Sequence, residues 1–278
     1  MKIVKTTAEI LSLLNHYNKK KSIGFAPTMG ALHEGHISLI ERSKKDCDIT
    51  VCSIFVNPTQ FNSQEDFKNY PKEIHVDILK LQKANCDIVF VPEKSDLYSK
   101  NEKAKEYNFG KLSSVMEGEY RIGHFNGMAT IVEKFLNIIQ PTKAFFGEKD
   151  LQQLQIVKEL VKKEKISTEI IGITTIRELN GLAKSSRNKL LTVKQKSEAS
   201  LIYKCLCYCN EKKSLGITKL KDYIYTSFNK NKYVELEYVE FVSLKTLQPI
   251  QNWNEENTNA ICIAAYVNNV RLIDNIIL

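Results

Sequence analysis

No apolar run in this chain approaches the length of a membrane span, and polar residues break up the apolar ones throughout the opening segment, residues 1–21. A spanning helix needs about 20 consecutive apolar residues, and a secretory leader needs an uninterrupted apolar core. Neither is present, so the expected location is the cytoplasm, away from any membrane. The chain also lacks an internal repeat, a linker rich in proline, glycine or serine, and the GxxxxGK[ST] pattern of a P-loop. With 6 prolines and 11 glycines in 278 residues, 43% hydrophobic and 26% charged, it is too apolar to be disordered. Its length suits one large domain and one small one.

Seven cysteines are present, an odd number, and several lie inside apolar runs. That distribution predicts reduced, buried thiols. Cys205-x-Cys207-x-Cys209 invites a metal reading, but alternate residues of a helix diverge in direction and no histidine or CxxC follows, so no metal site is expected there. The formal net charge of +8 suits either a nucleic acid or a small anionic substrate. Lysine runs such as 19–21 and 162–165 read as solvated helix ends. No basic motif interleaved with aromatics supports a nucleic-acid partner.

Apolar, often β-branched runs at 22–26, 49–56, 87–91, 144–146 and 169–176 read as strands, and helical spacing occupies 37–45, 74–83, 128–139 and 151–163. The alternation predicts an α/β parallel sheet with helices on both faces. After about Ile176 the pattern changes to a polar loop, helical stretches at 193–211 and 218–229, and strands at 236–242, 260–267 and 270–276. Asn268-Asn269 tolerates the positive φ of a tight hairpin between the last two. The expected division is a larger parallel α/β domain over 1–176 and a smaller C-terminal α+β domain with antiparallel strands over 177–278.

Directly after the first of these strands comes Pro27-Thr28-Met29-Gly30-Ala31-Leu32-His33-Glu34-Gly35-His36, and a helical pattern starts at Ile37. A strand feeding a glycine-containing turn and a helix N-terminus aims backbone N–H groups at an anion. His33 and His36, three apart, share a face in a helical first turn. Two imidazole donors suit adenylyl transfer, in which charge grows on an α-phosphate under attack by a carboxylate. Capping of the helix and metal binding are the alternative uses of the pair.

Three further polar segments follow apolar runs. Phe55-Val56-Asn57-Pro58-Thr59-Gln60-Phe61 puts Asn57 and Gln60 at the C-terminal edge of the sheet, where open α/β folds bind ligands. A glutamine there can donate to a carboxylate and accept from a hydroxyl. In Phe145-Phe146-Gly147-Glu148-Lys149-Asp150-Leu151-Gln152-Gln153, Gly147 permits close backbone approach and Lys149 supplies a charge for phosphates. Leu182-Ala183-Lys184-Ser185-Ser186-Arg187-Asn188 sets serine hydroxyls beside an arginine, a combination suited to a triphosphate. The polar segment 98–124, ending in Arg121 and His124, is expected to be a mobile lid.

HxGH after the first strand resembles the signature of the nucleotidyltransferase superfamily that includes class I aminoacyl-tRNA synthetases. The longer PTMGALHEGH, with FVNPTQF, FFGEKDLQQ and LAKSSRN in that order, is similar to the motifs of the pantothenate synthetase, or pantoate:beta-alanine ligase, family. Leu151 stands where that family commonly has tyrosine and Lys184 where it has methionine. The resemblance runs to the terminal Arg271-Leu272-Ile273-Asp274-Asn275. It implies a Rossmann-like ATP- and pantoate-binding domain over 1–176 with a C-terminal lid domain over 177–278, and ATP-dependent condensation of pantoate with beta-alanine through pantoyl adenylate, releasing AMP and pyrophosphate.

The same resemblance assigns ATP to Met29, Gly30, Ala31, Leu32, His33, Glu34, Gly35, His36, Gly147, Glu148, Lys149, Asp150, Ile176, Lys184, Ser185, Ser186 and Arg187. His33, His36 and Lys149 would be catalytic, and Asn57, Gln60 and Gln153 would hold pantoate and beta-alanine. Mg²⁺ would be bound mainly by the ATP phosphates, with Asp77 as the matching protein ligand. A homodimer is implied. Rival readings are a nucleotidyltransferase that stops after nucleotidyl transfer, and a non-catalytic nucleic-acid binder.

Overall fold

Six short apolar segments make one wholly parallel sheet: β1 (Lys2–Val4), β2 (Ile23–Thr28), β3 (Ile49–Ile54), β4 (Ile88–Phe90), β5 (Lys143–Gly147) and β6 (Glu169–Ile173). Their order across the sheet is β1-β4-β3-β2-β5-β6. The computed structural model describes residues 1–17, 21–61, 67–68, 70–253 and 258–278; positions 19 and 20 of the first lysine run lie outside them. Alternation along the strands sends neighbours to opposite faces. Ala26, Cys52, Ile54, Val89 and Phe145 pack with Leu39 and Ile40 of helix α2 (Glu34–Asp46) and Leu81 of α3 (Ile74–Lys83). On the other face Phe25 and Phe90 meet Phe135 of α4 (His124–Ile139), with ring centroids 5.8 and 5.9 Å apart. Each such buried ring or branched chain contributes roughly 1.5–3 kcal/mol of transfer free energy.

Residues 1–17 supply β1 and helix α1 (Thr7–His16). Thr6 and Glu9 form a reciprocal capping box at the start of that helix. Only β1's pairing with β4, Lys2 opposite Ile88, makes its three residues a strand.

Cα packing divides the chain into two units. The first comprises residues 1–109, 120–148 and 153–174; the second takes in 110–119 and 149–152 in addition to 175–278. Helix α5 (Leu151–Lys163) therefore has its first residues in the second unit.

In the second unit β7 (Val234–Ser243), β8 (Asn259–Val267) and β9 (Val270–Ile277) form an antiparallel meander. Asn268 takes the left-handed φ of 52° in the two-residue turn between Val267 and Val270. The helical stretch 193–211 is two helices, α6 (Val193–Ala199) and α7 (Leu201–Glu211), with Ser200 at their junction; α8 is Ile217–Asn229. One face of the sheet packs on α7 and α8 through residues such as Ile261, Ile263, Leu206 and Ile224. The other packs Tyr238, Ala260 and Cys262 on Met116 and Leu151, which is why segments 110–119 and 149–152 belong to this unit.

All seven cysteines are unpaired, and Cys205 and Cys209 lie in the core while Cys207 is half-buried. Among the described residues no helix is long and apolar enough to cross a membrane.

Candidate active site

The parallel sheet changes winding direction at β2, which is flanked by β3 on one side and β5 on the other. Open α/β sheets bind ligands beyond the C-terminal ends of strands at such a point. β2 ends there with Thr28, whose buried hydroxyl donates to Ser53 O at 2.7 Å and accepts from Gly30 N at 3.3 Å. Gly30 (φ 82°) and Ala31 (φ 49°) then both take left-handed conformations. Such a conformation costs a residue bearing a Cβ about 1–2 kcal/mol, so the turn needs bracing.

The brace comes from α3. Asp77, 1% exposed, accepts Ala31 N at Oδ2 (2.8 Å) and Leu32 N at Oδ1 (2.7 Å). Lys80, one turn further along the same helix face, donates its ammonium to Leu32 O. Asp77 thus turns both carboxylate oxygens to the turn's own amides. Among the described residues no group of three or more His, Cys, Asp or Glu side chains could hold a metal ion.

His33 (φ −137°) is the N-cap of α2, and its Nδ1 accepts Gly35 N at 3.1 Å. His36, at the third helical position, accepts His33 N with its own Nδ1 at 3.3 Å. The rings lie 4.0 Å apart, centroid to centroid, tilted by 39°. The pair therefore forms a histidine version of a capping box. A nitrogen that accepts an amide proton carries no proton of its own, so each neutral ring is the Nε2–H tautomer. Capping, one of the alternative uses, proves to be how the imidazoles are oriented.

At the end of β3 the 3₁₀ turn Pro58–Gln60 is docked on the start of α4. Asn57, 1% exposed, donates to Gly127 O at 3.0 Å and accepts from Tyr98 OH at 2.9 Å and Thr59 Oγ1 at 3.1 Å. Burial pushes the Tyr98 hydroxyl above its ordinary pKa, so it stays protonated and donating. His124, 5% exposed, holds Gln60 O to its Nδ1 at 2.8 Å and receives Arg121 at Nε2 at 3.1 Å. A Cβ on Gly127 would stand 2.0 Å from Thr59 O, so only glycine lets helix and turn approach this closely. Gln60, by contrast, makes no side-chain hydrogen bond to a described residue, and neither does half-buried Gln153 on α5. Its neighbour Gln152 is fully engaged, accepting Glu117 N and donating to Leu112 O and Val115 O.

Gly147 ends β5, and a Cβ there would meet nothing within 4 Å. Neither strain nor a neighbour demands glycine at that position.

Glu148 closes the 120–148 stretch of the first unit, whereas Lys149, Asp150, Ile176, Lys184, Ser185, Ser186 and Arg187 belong to the second. Lys149 Nζ pairs with Asp150 at 3.1 Å, and its carbonyl accepts Asn275 Nδ2 at 2.9 Å. Lys184 N donates to Ile176 O at 2.9 Å, which closes the loop that follows Thr175. Ser185 caps the 3₁₀ turn Ser186–Leu190 by accepting Arg187 N at 3.3 Å. Asn188 clips the loop together, donating to Glu178 and to Ala183 O.

The segment read as a mobile lid is bonded along its length. In the first unit Lys105 N donates to Thr130, Lys105 Nζ pairs with Glu133 and Glu164, and Tyr107 OH donates to Glu133. In the second, Glu117 receives both Arg271 guanidinium nitrogens at 2.7 Å.

A parallel sheet with imidazoles on a helix N-terminus at its switch point defines an α/β enzyme that handles an anionic, nucleotide-like substrate. The model of the family described as pantoate-beta-alanine ligase matches residues 2–277. The chain belongs to the pantoate-beta-alanine ligase family. It is 44% identical over 279 residues to the pantothenate synthetase of Azobacteroides pseudotrichonymphae genomovar. CFP2, covering 99% of both chains. With that of Flavobacterium psychrophilum it shares 44% identity, covering 92% of each. The pantothenate synthetase structure from Thermus thermophilus superposes with a TM-score of 0.93 at 33% identity, covering 99% of both chains. The pantoate-beta-alanine ligase of Francisella tularensis, solved with beta-gamma ATP and beta-alanine, gives 0.83 at 38% identity, covering 99% of this chain and 97% of that one.

Proposed function

We propose that this chain condenses (R)-pantoate with beta-alanine in two steps. In the first, a pantoate carboxylate oxygen bonds to the α-phosphorus of ATP and the bond to the bridging oxygen breaks, giving pantoyl adenylate and pyrophosphate. In the second, the beta-alanine nitrogen attacks the acyl carbon, the C–O bond to phosphate breaks, AMP leaves and the amine's surplus proton passes to solvent. No covalent enzyme intermediate is involved.

The observation that carries this reading is the locking of both imidazoles by backbone amides. With Nδ1 of His33 and His36 accepting N–H groups, the two Nε2–H donors are set at a helix N-terminus before substrate arrives. Fixed donors of this kind stabilise charge growing on the α-phosphate without reorganising during the reaction. Gln60 and Gln153 have carboxamides without protein partners among the described residues and suit the carboxylate and hydroxyls of pantoate. Asn57, whose amide is occupied by Gly127, Tyr98 and Thr59, serves by holding the Gln60 turn. Gly147 leaves room for the nucleotide. Lys149, Lys184, Ser185, Ser186 and Arg187 are assigned to the phosphates by their family positions.

The described residues offer no ligand set for a resident metal ion. Mg²⁺ enters as part of the substrate, MgATP, held by phosphate oxygens and water. The family resemblance further carries a cytoplasmic homodimer, which light scattering would test.

AMP release measured with ATP, pantoate and beta-alanine, each omitted in turn, tests the reaction. Release is expected only with all three, and pyrophosphate exchange into ATP is expected to need pantoate alone. Release without pantoate, or exchange driven equally well by unrelated acids, would sink the reading.

A further inference from the structure

The terminal Arg271–Asn275 stretch resembles the family yet has no part in the chemistry above. Its structure gives it one. Consecutive residues of β9 face opposite sides of the sheet. Leu272 faces the α7 and α8 side, so Asp274 faces it too, and Asn275 faces the side covered by Leu151 and Met116.

On the first side Asp274, 4% exposed, receives a bidentate pair from Arg177: Nη1 to Oδ2 at 2.6 Å and Nη2 to Oδ1 at 3.0 Å. Arg177 also donates to Gly181 O at 3.1 Å and to Asn275 O at 3.3 Å, and its guanidinium lies 3.8 Å from the centroid of the Tyr203 ring. Arg177 pairs with Ala183 across the loop as an isolated antiparallel bridge. The loop ending in Ser185, Ser186 and Arg187 is thereby pinned at its base to Asp274. On the second side Asn275, 6% exposed, donates Nδ2 to the carbonyl of Lys149 at 2.9 Å. Its backbone N–H donates to Asp274 Oδ1 at 2.8 Å, so one carboxylate ties the two anchors together.

We propose that the Asp274–Asn275 dipeptide is a positioning element for adenylate formation, with Asn275 setting Lys149 and Asp274, through Arg177, setting the Ser185–Arg187 segment. Two phosphate-directed segments far apart in sequence are thus indexed to adjacent residues of one strand. A misplacement of about 1 Å at such groups costs up to ~10²-fold in rate. The proposal rests on the reading of Lys149 as a triphosphate ligand.

The test separates the two half-reactions. Pyrophosphate exchange into ATP with pantoate reports adenylate formation, and chemically made pantoyl adenylate with beta-alanine reports the step that needs no triphosphate. Asn275→Asp, which replaces the donor to Lys149 O with an acceptor, is expected to lower kcat/KM for ATP in the exchange by roughly 10- to 100-fold. The adenylate-fed step should stay within about twofold of the parent chain. Asn275→Ser removes the reach of the donor without adding charge and carries the same expectation, should the first variant fold poorly. Combined with Lys149→Ala, either change should add almost nothing to the loss from Lys149→Ala alone, because both act through one group. Wild-type exchange in both Asn275 variants, or parallel loss of both half-reactions in a folded chain, would overturn the proposal. Unimpaired exchange in Lys149→Ala would remove the underlying reading of Lys149 instead.

Discussion

The backbone N–H of His33 donates to Nδ1 of His36 at 3.3 Å, so the second imidazole is oriented by the residue that carries the first. His36→Ala removes both a capping acceptor and an Nε2–H donor. The capping loss is about 1 kcal/mol, small enough to leave the chain folded, whereas the lost donor should slow adenylate formation ~10²-fold or more. Circular dichroism and pyrophosphate exchange on the same sample check both halves. A folded, fully active variant would take His36 out of the mechanism.

Asp77→Ala strands two buried amides, Ala31 N and Leu32 N. Charge-assisted bonds of this kind contribute about 1.5–3 kcal/mol each, so urea denaturation should show a loss of roughly 3 kcal/mol, with weaker ATP binding. The Mg²⁺ concentration at half-maximal activity, measured at saturating ATP, should not move. A large rise in that concentration with stability unchanged would make Asp77 a metal ligand and not a brace.

Gly127→Ala puts a methyl group 2.0 Å from Thr59 O and 2.9 Å from Gln60 N. Overpacking costs about 1–3 kcal/mol, and the turn bearing Gln60 must move. The expected result is a fall of roughly tenfold in kcat/KM for pantoate, with KM for ATP little changed. Equal effects on both substrates would argue against a local role for the turn.

Gly147→Ala meets open space, so its melting temperature should match the parent's or rise slightly through the lost chain entropy of glycine. If a nucleotide approaches the backbone there, KM for ATP should still rise by about tenfold. Unaltered ATP kinetics would mean that Gly147 has no part in nucleotide binding.

Burial pushes the thiols of Cys86, Cys209 and Cys262 up to about 12 and that of Cys205 to about 11. The thiolate is the reactive form, and below those values it is scarce, so raising the pH from 7 to 9 should not expose these groups to reagent. A disulfide reagent should label Cys207 first in the native chain and the others only on unfolding. Rapid native labelling of Cys205 or Cys209, read by peptide mass spectrometry, would contradict the packing.

Much of this was legible in the sequence, and the exceptions share a cause. Strand and helix periods located the sheet, and polar motifs directly after apolar runs located the ends of its strands. The bracing role of Asp77 was not legible because its partners are backbone amides 45 and 46 residues away, and no local pattern announces such a brace. Gln152 and Gln153 differ in role through burial against segment 110–119, which spacing alone does not reveal. Strand β1 is three residues long, too short for any period to show, and exists through its pairing with β4.

The opposed orientation of Asp274 and Asn275 makes the final hairpin sensitive to frame. Adding or deleting one residue between Val270 and Asp274 would turn the carboxylate toward Lys149 and the amide toward Arg177, reversing both contacts at once. Length variation in this chain should therefore be tolerated at its surface turns and refused inside this strand, even where the inserted residue is itself a good strand former.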